Sequence, residues 1–163
     1  VMALPSGFTS RIARIETFGG EVDEAFAPMS VTVHLEDELD ISRGDMLCRP
    51  ANKPYVGQDL DAMICWMTDQ PLRPRARLAI KHTTRWARAM GTNIQYALDV
   101  NTLHRDEGAD HLGLNAIGRI QMRTTLPLFY DEYRRNRSTG SFILVDESTN
   151  NTVAAGMLLT APP

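Results

Sequence analysis

Short runs in which apolar residues alternate with polar ones recur along the whole chain. Residues 11–15, 30–35 and 94–100 alternate in this way, and turn residues such as Gly19 and Gly20 separate the runs. Alternation with a period of two predicts strands with one buried face. No segment keeps a 3.6-residue period over three helical turns. Short strands spaced by about ten residues are typical of antiparallel barrels, so we predict an all-β fold.

Two of these runs predict which side chains face a core. In residues 30–35, Val31, Val33 and Leu35 share one face, which places Thr32 and His34 outward. A later run places four apolar residues on one face: Leu60, Ala62, Ile64 and Trp66. Residues 106–110 are compatible with one helical turn but not with a long helix.

Proline and asparagine interrupt the alternation near residue 50. Pro50, Asn52 and Pro54 follow each other closely, and the stretch ends at Gly57. Such residues favour loops, and short loops commonly separate compact modules. We therefore predict a first module over residues 1–50, a linker over 51–58 and a second module over 59–163.

The overall charge disfavours a nucleic-acid-binding protein. The chain has 17 Lys and Arg against 20 Asp and Glu, a net charge of −3, whereas nucleic-acid binders usually carry a basic excess that neutralises phosphates. No apolar run of about 18 residues predicts a membrane span, and residues 1–5 lack the layout of a signal peptide. Cys48 and Cys65 lie in apolar surroundings, which favours buried free thiols and a cytoplasmic location.

Motifs for nucleotide, metal or nucleophile chemistry are missing from the sequence. There is no Gly-x-x-x-x-Gly-Lys-Ser/Thr string to wrap phosphates. Residues 52–55 (NKPY) lack the Asp that reads guanine in the Asn-Lys-x-Asp motif, so we expect no GTP binding by this chain itself. The four histidines lack zinc-site spacing, and no Gly-x-Ser-x-Gly context occurs. We therefore expect no catalytic, cofactor or metal residues.

Two clusters remain as candidate contact surfaces. The first is residues 82–86 (HTTRW), in which Thr84 and Arg85 stand beside an aromatic residue, a common combination at protein interfaces. The alternative, which we favour, is an ordinary hairpin with Thr and Arg outward and Trp86 packed inside. The second cluster is Arg134, Arg135 and Arg137. Three guanidinium groups suit a carboxylate, a phosphate or an acidic partner, but a solvated charged loop is equally compatible.

Longer strings resemble a known family. Residues 23–33 (DEAFAPMSVTV) and 40–47 (DISRGDML) resemble the end of the second domain of translation-elongation-type GTPases. The later strings resemble the third domain of one such family, the GTPase subunit of bacterial ATP sulfurylases (CysN), which also occurs fused in CysN/CysC enzymes. These strings are residues 65–67, 81–85, 98–103, 114–119, 133–146 and 149–157.

The resemblance covers nearly the whole chain and implies both a fold and a role. The fold would be part of a domain-II-like barrel followed by a complete domain-III-like antiparallel barrel. The family makes adenosine 5′-phosphosulfate and pyrophosphate from ATP and sulfate, driven by GTP hydrolysis in complex with a separate adenylyltransferase subunit. GTP and Mg²⁺ would bind in a GTPase domain upstream of Val1, and an adenylylsulfate kinase could follow as a fusion.

This chain would then be a non-catalytic scaffold that contacts the adenylyltransferase subunit and the GTPase domain. Its expected contact residues are Thr84, Arg85, Arg134, Arg135 and Arg137. The alternative is an RNA-binding module, because related barrels in elongation factors hold tRNA; the balanced charge disfavours it. A third class of function is an independent small-molecule enzyme, but the sequence offers no catalytic constellation for it.

Overall fold

The computed structural model describes residues 1–159. The chain divides into two compact units, Val1–Lys53 and Pro54–Pro163, and the division lies inside the predicted linker, residues 51–58. Within the described residues the elements are twelve strands and one short helix. No helix in this part of the chain is long and apolar enough to cross a membrane.

The first unit contains two small antiparallel sheets. Its strands are β1 (Met2–Leu4), β2 (Ile12–Thr17), β3 (Gly20–Val22), β4 (Thr32–Leu35) and β5 (Met46–Cys48). β1 pairs with β5, and β2 lies between β3 and β4. Gly20 has a φ of 114° at the turn between β2 and β3, a conformation that glycine adopts without a steric penalty.

Little of the first unit is buried. Among residues 1–53 the buried ones are Ala3, Leu4, Ser10 and Gly44. The predicted inward face of β4 is only half-buried, and His34 on the opposite face is also half-buried, 3.1 Å from a Glu16 carboxylate oxygen.

The second unit is a closed six-stranded antiparallel barrel. Its elements are β6 (Tyr55–Trp66), β7 (Leu78–His82), β8 (Arg85–Leu98), β9 (Arg105–Asp106), β10 (Ile117–Tyr130), α1 (Arg137–Gly140), β11 (Ser141–Val145) and β12 (Thr152–Leu158). The strand order is β10-β6-β12-β11-β7-β8, and β8 pairs with β10 to close the barrel. β9 adds to β8 outside the closed ring. The prediction of an all-β fold is confirmed.

Alternation along β6 places its apolar side chains inside the barrel. Leu60, Ala62, Ile64 and Trp66 are each at most 4% exposed, as the period of two predicts. They pack against the inward residues of the other strands, among them Ile80, Ala89, Ile120, Leu144 and Ala154. Burying one large aliphatic side chain contributes roughly 1.5–3 kcal/mol, so this core supplies most of the unit's stability.

Two local features differ from the sequence analysis. The helical turn with which residues 106–110 are compatible does not form: Arg105–Asp106 forms β9, paired with Ala97 and Leu98, and a turn follows. The short helix α1 was not predicted; Asn136 caps it by accepting a hydrogen bond from the Ser138 amide at 3.1 Å.

β6 begins at Tyr55, inside residues 51–58, because Tyr55 and Val56 pair with the far end of β10. Cys48 and Cys65 are free thiols as predicted, although both are half-buried rather than buried.

Candidate protein-interaction surface

The β7–β8 hairpin holds the first predicted cluster at its tip. His82 pairs with Arg85 across the turn, which leaves Thr83 and Thr84 as the two loop residues. Both are exposed. Thr83 has a φ of 51°, the left-handed conformation that tight two-residue hairpins require.

Trp86 does not pack inside the barrel. It is 49% exposed, whereas Ala87 and Ala89 are buried. Trp86 pairs with Lys81 across the hairpin, and the Lys81 ammonium lies 5.7 Å from the centre of the indole ring. The expectation of an inward Trp86 is therefore wrong, because the two small alanines set the phase of β8.

Arg85 is held against the barrel rather than extended into solvent. It is half-buried, and its guanidinium carbon lies 4.8 Å from the centre of the Phe129 ring. Phe129 is 1% exposed. A cation over an aromatic face contributes roughly 0.5–2 kcal/mol, so this contact holds Arg85 against the barrel beside the hairpin turn.

The second predicted cluster lies on residues 131–140 between β10 and β11, a segment that ends with α1 and is called the arginine loop below. Arg134, Arg135 and Arg137 are exposed. Beneath them, an Asp131 carboxylate oxygen accepts hydrogen bonds from Thr139 Oγ1 at 2.8 Å and from Asn136 Nδ2 at 3.3 Å. These bonds fix the backbone of the segment that carries the three arginines.

Arg137 also touches an aromatic residue of its own loop. Its guanidinium carbon lies 5.9 Å from the centre of the Tyr133 ring. The Tyr133 amide donates to the Leu158 carbonyl at 3.0 Å, which ties the start of the loop to the end of β12.

A buried histidine joins the two clusters. His82, at the end of β7, is 1% exposed, and its Nε2 lies 2.6 Å from the Thr139 carbonyl oxygen in α1. Burial lowers the pKa of His82 below its usual value, and the Thr139 hydrogen bond offsets this in part. The neutral imidazole can donate this bond, so it fixes the hairpin and the arginine loop as neighbours.

An apolar groove of about 590 Å³ lies beside these two elements, on the outer face of the barrel. Its apolar side chains come from four strands: Cys65, Ile117, Ile143, Ala155 and Met157. Lys81 and Thr83 of the hairpin, with Tyr133 and Ser138 of the arginine loop, also line it. The structure therefore brings both predicted clusters to the edge of one groove.

The sequence analysis did not identify this groove. The usable signal was the apolar character of the outward positions, where alternation would put polar residues: Cys65 in β6, Ile143 in β11, and Ala155 and Met157 in β12. Among the described residues that line the groove, Lys81 is the sole charged side chain.

A buried carboxylate lies further along β6. Asp61 is 4% exposed and accepts two hydrogen bonds from Arg119, from Nε at 2.9 Å and from Nη2 at 2.5 Å. The pair raises the pKa of the Arg119 guanidinium. Because a buried charge without its partner is strongly destabilising, we interpret this pair as structural.

Nothing in residues 1–159 gathers three or more His, Cys, Asp or Glu side chains into a metal site. His111 Nδ1 and an Asp110 carboxylate oxygen are 2.6 Å apart, and both residues are exposed. The strongest candidate site in this part of the chain is the groove with the two clusters at its edge.

The fold has close counterparts among solved structures. The crystal structure of Sup35 complexed with GDP superposes with a TM-score of 0.87 at 16% sequence identity, covering 100% of this chain and 40% of that one. At this identity the likeness concerns the fold alone.

Relatives that share sequence extend over nearly the whole chain. A bifunctional enzyme CysN/CysC of Mycobacterium tuberculosis is 54% identical over 160 residues, which is 98% of this chain and 26% of the relative. Sulfate adenylyltransferase subunit 1 of Bacteroides fragilis is 48% identical over 159 residues, 98% of this chain and 33% of the relative. The chain thus spans about a quarter to a third of their length.

Residues 59–159 match the family described as GTP-eEF1A C-terminal domain-like. This range covers the closed barrel of the second unit and the groove on its outer face. The chain therefore belongs to the GTP-eEF1A C-terminal domain-like family and is homologous to CysN and sulfate adenylyltransferase subunit 1.

Proposed function

We propose that this chain is the non-catalytic β-barrel portion of the GTPase subunit of a GTP-dependent sulfate adenylyltransferase. The observation that carries the proposal is the sequence identity to CysN/CysC and to subunit 1 along 98% of the chain. The parent protein would activate sulfate to adenosine 5′-phosphosulfate. GTP and Mg²⁺ would bind in another domain of the parent, because this sequence contains no phosphate-binding loop.

The barrels would act as a scaffold that docks the adenylyltransferase subunit and passes on the nucleotide state by rigid-body movement. The hairpin tip, with Thr84 and Arg85, and the exposed Arg134, Arg135 and Arg137 support a docking surface on the second unit. Exposed arginines on an ordered loop can form paired hydrogen bonds with carboxylates of a partner. In bifunctional relatives the adenylylsulfate kinase would be a further neighbour.

The test is the affinity for the adenylyltransferase subunit from the same source. Replacing Arg134, Arg135 and Arg137 together by Ala should weaken binding about tenfold, because three charge-assisted contacts are lost. The loss should shrink at high salt, which screens exposed charges. Isothermal titration calorimetry at two salt concentrations measures both effects.

A matched control removes three other exposed arginines, Arg73, Arg75 and Arg77. Glycine replaces Arg75, whose φ is 66°, and alanine replaces the other two. An equal loss in both triple variants would mean that only overall charge matters. No binding by the unaltered chain would overturn the docking role.

RNA binding is the second candidate, and the exposed arginine loop is the observation in its favour. It predicts that tRNA binds with a steep salt dependence and that the Arg134, Arg135 and Arg137 variant reduces the slope. A flat salt profile would exclude it.

A further inference from the structure

A continuous row of side chains crosses the outer face of the barrel. Lys81 pairs with Ile143, Ile143 with Ala155, Ala155 with Cys65, and Cys65 with Ile117. The row therefore spans five strands, β7, β11, β12, β6 and β10. With neighbouring strands about 4.8 Å apart, it is roughly 19 Å long.

The row and its surroundings are apolar yet accessible. Ala155 is exposed, and Met157, the next outward residue of β12, is 39% exposed. Tyr133 and Ser138 of the arginine loop also line the groove beside the row. A contiguous apolar surface that lines a groove of about 590 Å³ is typical of a binding site.

The strands under the row offer no free edge to a partner. β11 pairs with β7 and β12, β12 with β11 and β6, and β6 with β12 and β10. A partner strand therefore has no unpaired backbone groups to bond with, so strand addition is excluded along the row. Recognition along the row must therefore come from packing of side chains, as an amphipathic helix provides in helix-in-groove recognition. About 13 helical residues span 19 Å at 1.5 Å per residue.

The charges beside the row are positive at one end. Lys81 ends the row on β7, and Arg137 lies over the ring of Tyr133. At the other end, Arg119 is paired with Asp61. Arg105 lies two strands beyond Ile117, across Leu98, with its guanidinium over the Tyr96 ring. A partner should therefore carry a carboxylate where it meets Lys81 and Arg137.

We propose that this groove binds an amphipathic helix of a partner protein, with apolar side chains on the row from Ile143 to Ile117 and a carboxylate facing Lys81 and Arg137. The inference rests on the proposed function for the identity of the partner, which is the adenylyltransferase subunit. It goes beyond that function by naming the kind of segment that docks and the residues that receive it.

The first experiment changes the centre and the charged end of the row. Ala155→Glu should weaken binding of the adenylyltransferase subunit at least tenfold, because it places a charge in an apolar contact. Lys81→Glu should weaken binding by a similar factor, whereas Lys81→Arg should retain it. The matched control is Met90→Glu, at an exposed apolar position of β8 that does not line the groove. Circular dichroism and thermal unfolding verify that each variant is folded.

The second experiment identifies the occupant directly. A benzoylphenylalanine photo-crosslinker at position 155 is irradiated in the complex, and mass spectrometry locates the linked peptide. We expect a segment of the adenylyltransferase subunit with apolar residues at helical spacing and an acidic residue. A link to a second copy of this chain, or to a basic or strand-forming segment, would overturn the inference.

The outcomes separate the two proposals. If the unaltered chain does not bind the adenylyltransferase subunit, the proposed function and this inference both fall. If it binds, and neither Ala155→Glu nor Lys81→Glu weakens binding, only the inference is overturned.

Discussion

At the scale of single residues, His82 has a structural role that its sequence context does not reveal. It is almost completely buried at the end of β7, and its ring donates to the Thr139 carbonyl of α1 over 2.6 Å. Burial disfavours the charged imidazolium, which is why its pKa is lowered. Protonation of His82 therefore costs more free energy in the folded chain than in the unfolded one.

The consequence is a loss of stability on acidification. The usual pKa of 6.5 applies in the unfolded chain and a lower one in the folded chain, so the unfolded chain binds the extra proton first. The free energy of unfolding should fall as the pH drops below 6.5, by up to about 1.4 kcal/mol per pH unit, until the folded pKa is passed.

Urea unfolding between pH 7 and pH 5.5 measures this effect. His82→Gln keeps a side-chain N–H for the Thr139 carbonyl but does not titrate, so its stability should vary less with pH. His104→Gln, at an exposed histidine, should keep the unaltered profile. Parallel profiles for all three proteins would contradict the role given to His82.

At the scale of elements, the arginine loop is shaped by close backbone packing against α1. A Cβ added to Gly140 would lie 2.4 Å from the Cα of Tyr133 and 2.6 Å from its nitrogen. Real Cβ atoms do not approach backbone so closely, so α1 can pack against the start of the loop only with glycine at this position. The loop that carries the three arginines depends on this contact.

Gly140→Ala should therefore destabilise the chain by about 1–3 kcal/mol through overpacking and displace the arginine loop. Gly113→Ala is the control, because a Cβ there meets nothing within 4 Å; it should change stability by about 0.5 kcal/mol or less. Chemical denaturation measures the stabilities. The affinity for the adenylyltransferase subunit shows whether the arginine loop has been displaced. Equal stabilities of the two variants would refute the packing argument.

At the scale of the whole molecule, the two units differ in how much core each contains. The barrel of the second unit buries a continuous apolar cluster of twenty residues among those described. In the first unit the buried apolar side chains are Ala3 and Leu4. Since burial of apolar area is the main stabilising term, the first unit should open more readily.

Hydrogen exchange tests this difference. Backbone amides of β2 and β4 should exchange faster than those of β6 and β10, because local opening is easier where little apolar surface is buried. Ile120→Ala removes a buried core side chain at a cost of about 2–5 kcal/mol, and should lower protection in β6 and β10 while β2 and β4 change little. Uniform protection across both units would disprove the prediction.

Sequence patterns predicted the buried face of a strand best where apolar residues recur at every second position. Leu60, Ala62, Ile64 and Trp66 occupy every second position, so the period of two assigned these inward residues of β6 correctly, although Asp61 on the opposite face is also buried. Trp86 was assigned wrongly, because a large aromatic residue is usually buried, and only the pairing of β7 with β8 shows that Ala87 and Ala89 point inward. The arginines were recognised as a cluster, but not as neighbours of the hairpin.

The amino-acid sequence by itself determined the all-β fold and the exposure of Arg134, Arg135 and Arg137, because alternation and charge act over a few consecutive residues. The tertiary structure alone decided that His82 reaches Thr139, that β8 closes onto β10, and that Lys81, Ile143, Ala155, Cys65 and Ile117 form one row. Those relations depend on the register between strands distant in the sequence, and a one-residue change in register would turn each side chain to the other face.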